Sequence, residues 1–323
     1  VILFIIVILL LIFYLLFAYS LFQKVICREK KRPNKKPSFD LSAVHERKCN
    51  NGFSLKEMVS DGRKWLENRE HKPFEIKTFD GLTLCGKIYV PDCEPKSIAV
   101  FVHGFRSYAD RDRPYRKRDY LSKGFTVVEY DLRGCGKSDG KYVTYGILDR
   151  FDLRDIILYI NGLFPNLPIV LEGISMGGAT VCMTAGLDLP ENVKLIVADC
   201  PVADPFKQIL YTEKCDVGFS LSITTEIVRL FGILFAKFDL KAVSAENEIR
   251  KSKIPLYLIH GTVDKTVPVS AGKSIFENCP SPKKILIVDD ADHGLSYLMN
   301  TEDYECGLNE MLNKYVCPQN PIA

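Results

Sequence analysis

The sequence has no charged residue over positions 1–23, no C-x-x-C or zinc-type spacing among its 11 cysteines, no internal repeat and no low-complexity tract. The missing cysteine spacing removes dithiol redox and structural zinc readings, and an odd cysteine count leaves at least one thiol unpaired. Cys182 and Cys200, set in apolar stretches, read as small core residues. A strong charge excess is also lacking. Residues 24–36 hold seven basic side chains against one acid, so the net +3 of the 323-residue chain leaves −3 for everything after them. A body with a slight acidic excess has no basic stripe to offer nucleic acid. What remains, 47% hydrophobic and 26% charged, is a globular composition with a sizeable core.

The uncharged stretch is Leu, Ile, Val and Phe nearly throughout, and as a helix it reaches about 33 Å, one bilayer crossing. It has no polar face to show water, which argues against a core helix. The basic cluster that follows is a stop-transfer flank, so the expectation is an uncleaved single-pass anchor rather than a signal peptide with a shorter apolar core and a small-residue exit site. The organisation expected is a transmembrane anchor at 1–23, a basic juxtamembrane linker at 24–39 and one domain at 40–323, on the cytoplasmic side by the positive-inside rule.

Within that domain, helical spacing near Leu55, Met58, Trp65 and Leu66 precedes eight short apolar runs at 74–79, 82–90, 98–102, 126–130, 169–171, 195–198, 256–259 and 285–288. From the third onward they are nearly continuous Val, Ile and Leu, as in parallel strands buried on both faces; the first two alternate more, as at an antiparallel edge. Amphipathic segments at 115–123, 149–163, 175–187, 270–278 and 301–315 fill most gaps, which predicts a three-layer α/β fold. The gap of about 55 residues after the sixth run is too long for an ordinary connection. Phe206, Ile209, Ile227 and Phe231 recur there at helical spacing. They predict a two-helix cap at about 201–253, with these four as substrate-facing candidates.

Residues 169–178 read Ile-Val-Leu-Glu-Gly-Ile-Ser-Met-Gly-Gly, a buried strand running through G-x-S-x-G into a helix. In this strand-to-helix context the glycines permit a tight, strained turn that presents Ser175 near a helix N-terminus, the arrangement of a nucleophile elbow. A serine hydroxyl needs a base, and of the five histidines His45 and His71 precede the sheet while His103 and His260 end strands just before glycines. His293, in Asp-Asp-Ala-Asp-His-Gly after the last run, is the best candidate. Its orienting acid should follow a strand between Ser175 and His293; Asp264 fits best and Asp199 is the runner-up. Two backbone donors are needed at a developing oxyanion, and Met176 on the elbow and Phe105 in His103-Gly104-Phe105 are positioned to supply them. Arg106, Arg111, Arg113, Arg116, Lys117 and Arg118, interrupted by Asp110, Asp112 and Asp119, read as a solvated helix face in preference to an anion site.

His103-Gly104-Phe105, the glycine-rich 131–140 segment, the elbow, His260-Gly261 with Asp264, and Asp292-His293-Gly294 together resemble the α/β-hydrolase superfamily over about residues 74–316. The resemblance is nearest to membrane-anchored bacterial serine aminopeptidase-like and monoacylglycerol-lipase-like hydrolases. It implies a Ser175, Asp264 and His293 triad with Phe105 and Met176 as oxyanion donors, an eight-stranded mostly parallel sheet with a helical cap, and no metal or organic cofactor. The function expected is a serine esterase that forms an acyl-enzyme on Ser175 from a small acyl-ester or lipid-like substrate. The alternatives are a serine aminopeptidase, for which Glu213, Asp216 or Glu226 in the cap would hold the amine, an acyltransferase, and a non-catalytic scaffold.

Overall fold

The computed structural model describes residues 1–29, 54–218 and 222–317. Residues 30–39 of the expected linker, and His45, lie outside them. An N-terminal helix α1 (Ile2–Val25) and helix α2 (Leu55–Glu67) lead into β1 (Lys72–Lys77), β2 (Thr83–Tyr89), β3 (Ser97–Val102), α3 (Pro114–Ser122) and β4 (Phe125–Tyr130). Then come α4 (Asp149–Leu163), β5 (Ile169–Ile174), α5 (Met176–Thr184), β6 (Val193–Asp199), α6 (Pro205–Val217), α7 (Ser222–Phe231) and α8 (Ala245–Glu248). The chain finishes with β7 (Leu256–Gly261), α9 (Val269–Asn278), β8 (Lys283–Val288), α10 (Ser296–Met299) and α11 (Thr301–Tyr315).

The eight strands form one sheet in the order β1-β2-β4-β3-β5-β6-β7-β8. β2 pairs antiparallel with β1 and β4, and every other neighbour is parallel. The alternating runs are thus the antiparallel edge, and the continuous Val/Ile runs of β3, β4 and β7 are buried at every position. One face packs on α4, α5, α8 and α9 through residues such as Ile156, Ala179, Ala245 and Ile275. The other packs on α2, α3 and α11 through Leu66, Tyr120 and Leu308. Local chemistry sets several helix boundaries. Ser54 and Glu57 form a capping box at α2, Asp204 accepts the Lys207 N–H at the start of α6, and Gly218 at φ +84° ends it.

The cap between β6 and β7 is α6, α7, a π turn (Gly232–Ala236) and α8. It is not free-standing: α7 packs along α1. Tyr14 and Thr224 hydroxyls are 2.8 Å apart, and Phe231 meets Tyr19 and Phe22 ring to ring at 5.7 and 5.9 Å. Residues 26–29, expected in a linker, lie against the domain instead. Cys27 bridges to Tyr142, Val143 donates to Ile26 O at 2.7 Å, and Arg28 donates to Lys141 O at 2.8 Å. Upstream of Tyr14 α1 is exposed, and the whole helix, Ile2–Val25, is long and apolar enough to cross a membrane.

Candidate active site

The loops leaving the carboxyl ends of β3, β5, β6, β7 and β8 converge, as expected of sites in parallel sheets. At the end of β5 the chain turns sharply into α5, with Ser175 at φ +56° and ψ −115°. Such a conformation is costly for a residue with a Cβ and persists only where the surroundings hold it. Here they do: the Ser175 N–H donates to Asp199 O at 2.9 Å, and its carbonyl accepts from Ala179 at 3.0 Å. A Cβ on Gly173 would come within 2.2 Å of Gly177 O, and one on Gly177 within 2.1 Å of Val102 O. That crowding is the physical reason for glycine on both sides of the serine. Ser175 as a whole residue is 9% accessible.

The structure brings Ser175, His293 and Asp264 together. Ser175 Oγ lies 2.9 Å from His293 Nε2, and His293 Nδ1 lies 2.7 Å from Asp264 Oδ2. Nδ1–H donating to the carboxylate leaves Nε2 as the acceptor for the serine hydroxyl. Asp264 is itself fixed, its Oδ1 accepting the N–H groups of Thr266 and Val267 at 2.9 and 2.8 Å. Burial opposes the Asp264 charge, but hydrogen bonds from His260 and His293 and from the Val267 amide outweigh it and hold the carboxyl well below the usual carboxylate range. His260 was passed over in the sequence as a strand-end residue. Its Nε2 donates to Val267 O at 2.9 Å and stands 3.3 Å from Asp264 Oδ2, so it braces the loop carrying the acid. The signal was its i, i+4 spacing to Asp264.

On the β3 side, a Cβ on Gly104 would lie 3.6 Å from Ser175 Cβ, so the His103-Gly104-Phe105 loop runs beside the serine. His103 is buried and fully occupied, its Nδ1 donating to Gly104 O at 2.8 Å and its Nε2 accepting from Leu132 N–H at 2.9 Å. Asp112 accepts the Gly104 N–H at 2.8 Å. Among the described residues, neither the Phe105 nor the Met176 amide N–H meets an acceptor. Met176 opens α5, whose first N–H groups have no partner within the helix.

Residues 93–229 match a family model described as serine aminopeptidase, S33. A Bacillus subtilis protein, YqkD, is 26% identical over 77% of this chain and 81% of its own length. The monoacylglycerol lipase of Mycolicibacterium smegmatis is 32% identical over 62% of this chain and 82% of its own length. The chain belongs to the α/β-hydrolases, in the family of this monoacylglycerol lipase. In fold, this hydrolase superposes on an esterase of Pyrococcus furiosus with a TM-score of 0.61 at 22% identity, covering 82% of this chain and 97% of that one.

Other expected residues of the hydrolase sit elsewhere. Asp199, the runner-up acid, turns its Oδ2 to Arg113 and to the Tyr304 hydroxyl, both at 3.2 Å, and away from His293. The basic cluster after the oxyanion loop is a correction. Arg113, Arg116 and Lys117 are buried rather than solvated, because the far face of the sheet offers carboxylates: Glu172 to both arginines at 3.2 and 3.4 Å, and Glu129 to Lys117. Of the cap candidates, Phe206 and Ile209 are buried in the main core, Ile227 is half-buried, and Phe231 is corrected to a packing residue in the seam with α1. Cys200, Asp264 and His293 each have a possible ligand atom within 4.8 Å of the others. Burial and the charges of Asp199 and Asp264 push the Cys200 thiol far up, and Asp264 is already bonded to His293, so this donor set fits a metal ion poorly.

Proposed function

We propose that this α/β-hydrolase is a serine esterase that cleaves small acyl-ester or lipid-like substrates through an acyl-enzyme on Ser175. The observation that carries the reading is the continuous path from Ser175 Oγ through His293 to Asp264, at 2.9 and 2.7 Å. Ser175 Oγ attacks the acyl carbon while its proton passes to His293 Nε2; the imidazolium then protonates the leaving alcohol. Water repeats the sequence, with His293 as base, to release the acid. Asp264 holds the tautomer and stabilises the imidazolium without taking the proton. The amides of Phe105 and Met176 bind the oxyanion, each worth about 2.7–4 kcal/mol to the transition state.

One observation supports a lipid-like ester over a peptide. Leu230, Leu234 and Phe235 on α7 and the π turn are exposed, next to a helix fit to cross a membrane. Of the described cap carboxylates, Glu226 pairs with Arg229 and Lys241, while buried Glu213 accepts from the Thr225 hydroxyl at 2.7 Å through Oε2 and its Oε1 meets no partner among the described residues. The relative from Mycolicibacterium is named for monoacylglycerol hydrolysis, which agrees with this class. On this reading α1 is a single-pass anchor and the catalytic domain is cytoplasmic.

The test is fluorophosphonate labelling of the wild type, Ser175→Ala and His293→Ala, followed by turnover of matched acyl-ester and aminoacyl-amide series. Labelling that disappears in Ser175→Ala, with esters cleaved faster than amides, is expected. A folded wild type that neither labels nor turns over would sink the catalytic reading, and amides cleaved faster would make it a peptidase.

A further inference from the structure

We propose that Arg106 is a positioning residue for the oxyanion loop and that it takes its own position from the C-terminal end of the N-terminal helix. The inference rests on the serine-esterase reading above. The last carbonyls of an α-helix have no partner within it and carry its negative pole, so they attract a guanidinium. In this chain they receive one from the active site. Arg106 Nη2 donates to Gln23 O at 3.2 Å and to Cys27 O, just past the helix, at 2.9 Å. The Tyr145 hydroxyl donates to Val25 O at 3.0 Å.

These two side chains bracket Phe105. The Arg106 guanidinium lies 5.2 Å from the centre of the Phe105 ring, and Tyr145 stacks on that ring at 5.2 Å with an interplanar angle of 29°. Arg106 itself adopts φ +51°, a left-handed conformation disfavoured for a side chain of this size. It is a position that the surroundings must hold: the Ser107 N–H donates to Gly104 O at 3.3 Å and closes the turn, and the helix carbonyls hold the side chain. The reference is rigid, because Phe22 and Ile26 are buried in the main core and the Arg28 guanidinium donates to Gly136 O and Ser138 O at 2.6 and 2.7 Å. The apolar helix thus does more than tether: its last turn sets the peptide that presents the Phe105 amide beside Ser175.

The experiment uses the full chain in detergent micelles, with Arg106→Gln, Arg106→Lys and Tyr145→Phe. kcat and KM are measured on a short soluble ester, where membrane delivery has no part, together with inhibition by a trifluoromethyl ketone whose hemiketal oxygen takes the oxyanion position. Arg106→Gln should lower kcat by about 10- to 100-fold while KM moves by less than about threefold, since a displaced donor is felt in the transition state. Inhibition by the ketone should weaken by a similar factor, and Arg106→Lys, which still donates to the carbonyls, should recover part of both. Tyr145→Phe should cost a few-fold in kcat. An Arg106→Gln variant whose kcat stays within about twofold, or whose loss lies in KM alone, overturns the proposal. Should Arg106→Gln fail to fold, Tyr145→Phe decides, and an unchanged kcat in that variant overturns it. A wild type without turnover or labelling removes the esterase reading and this inference with it, whereas an active wild type beside an unaltered variant removes this inference alone.

Discussion

Asp199 ends β6 and Asp264 lies in the loop just beyond β7, its parallel neighbour, and both are almost fully buried. Asp264 faces two imidazoles, His293 at 2.7 Å and His260 at 3.3 Å, whereas Asp199 faces the Arg113 guanidinium at 3.2 Å. An imidazole takes up and returns a proton near neutral pH; a guanidinium does not. Burial is common to the two acids, so the partner separates them: on the proposed function Asp264 supports proton transfer by His293, while Asp199 serves the fold. The same division runs through the whole molecule. On one side of the elbow the charges are few, part-buried and linked to a hydroxyl; beneath it Arg113, Arg116 and Glu172 form a dry ion cluster with no nucleophile.

The comparison breaks or sharpens under five changes. Ser175→Ala should lower kcat on the order of 10⁶-fold while the melting temperature holds, and a variant retaining a hundredth of the activity would show that another group attacks. Asp264→Asn should lower kcat by about 10⁴-fold, because the wrong imidazole tautomer is then held. Asp199→Asn should behave oppositely, destabilising the fold by about 3 kcal/mol because buried Arg113 loses one of its two described counter-charges, while kcat per titrated active site stays within about threefold. If Asp199→Asn costs more kcat than Asp264→Asn, the two acids have been assigned the wrong way round. The fourth change is pH. A carboxyl held below its unfolded value near about 3.9 contributes stability that is complete above that value and is lost as pH falls below it. Asp264 is such a group, so acid denaturation of Asp264→Asn should be shallower than that of the wild type below about pH 4. Parallel slopes would mean that the carboxyl is not depressed. The smallest effect belongs to the cap. Leu234→Ser with Phe235→Ser should cut turnover of a vesicle-presented ester a few-fold and leave a soluble ester unchanged, and equal losses on both would place these residues in the acyl site instead.

Much of the fold was legible because periodicity reports burial directly. All eight runs are strands, and the change from alternating to continuous apolar sequence marked where antiparallel pairing gives way to parallel. The elbow was legible because Gly173 and Gly177 answer to backbone atoms 2.2 and 2.1 Å away, a requirement that no other residue type meets. The α3 cluster was not legible. Mixed signs along 106–119 look the same whether the counter-charges are solvent ions or Glu129 and Glu172 on neighbouring strands. His260 was missed for a related reason: its partner Val267 accepts through a backbone carbonyl, and a carbonyl leaves no mark in the residue alphabet.

What the sequence determined by itself is whatever depends on spacing along the chain: the strands, the elbow, the apolar helix, and the order serine, acid, histidine. Only the tertiary structure decided between Asp199 and Asp264, buried Arg113 and Arg116, moved Phe231 from the substrate side to the α1 seam, and tied Arg106 to the end of the N-terminal helix. The physical reason is distance. Periodic burial and tight turns are settled by neighbours a few residues away, while hydrogen bonds and ion pairs act within about 3–4 Å between atoms that the chain brings together from a hundred residues apart.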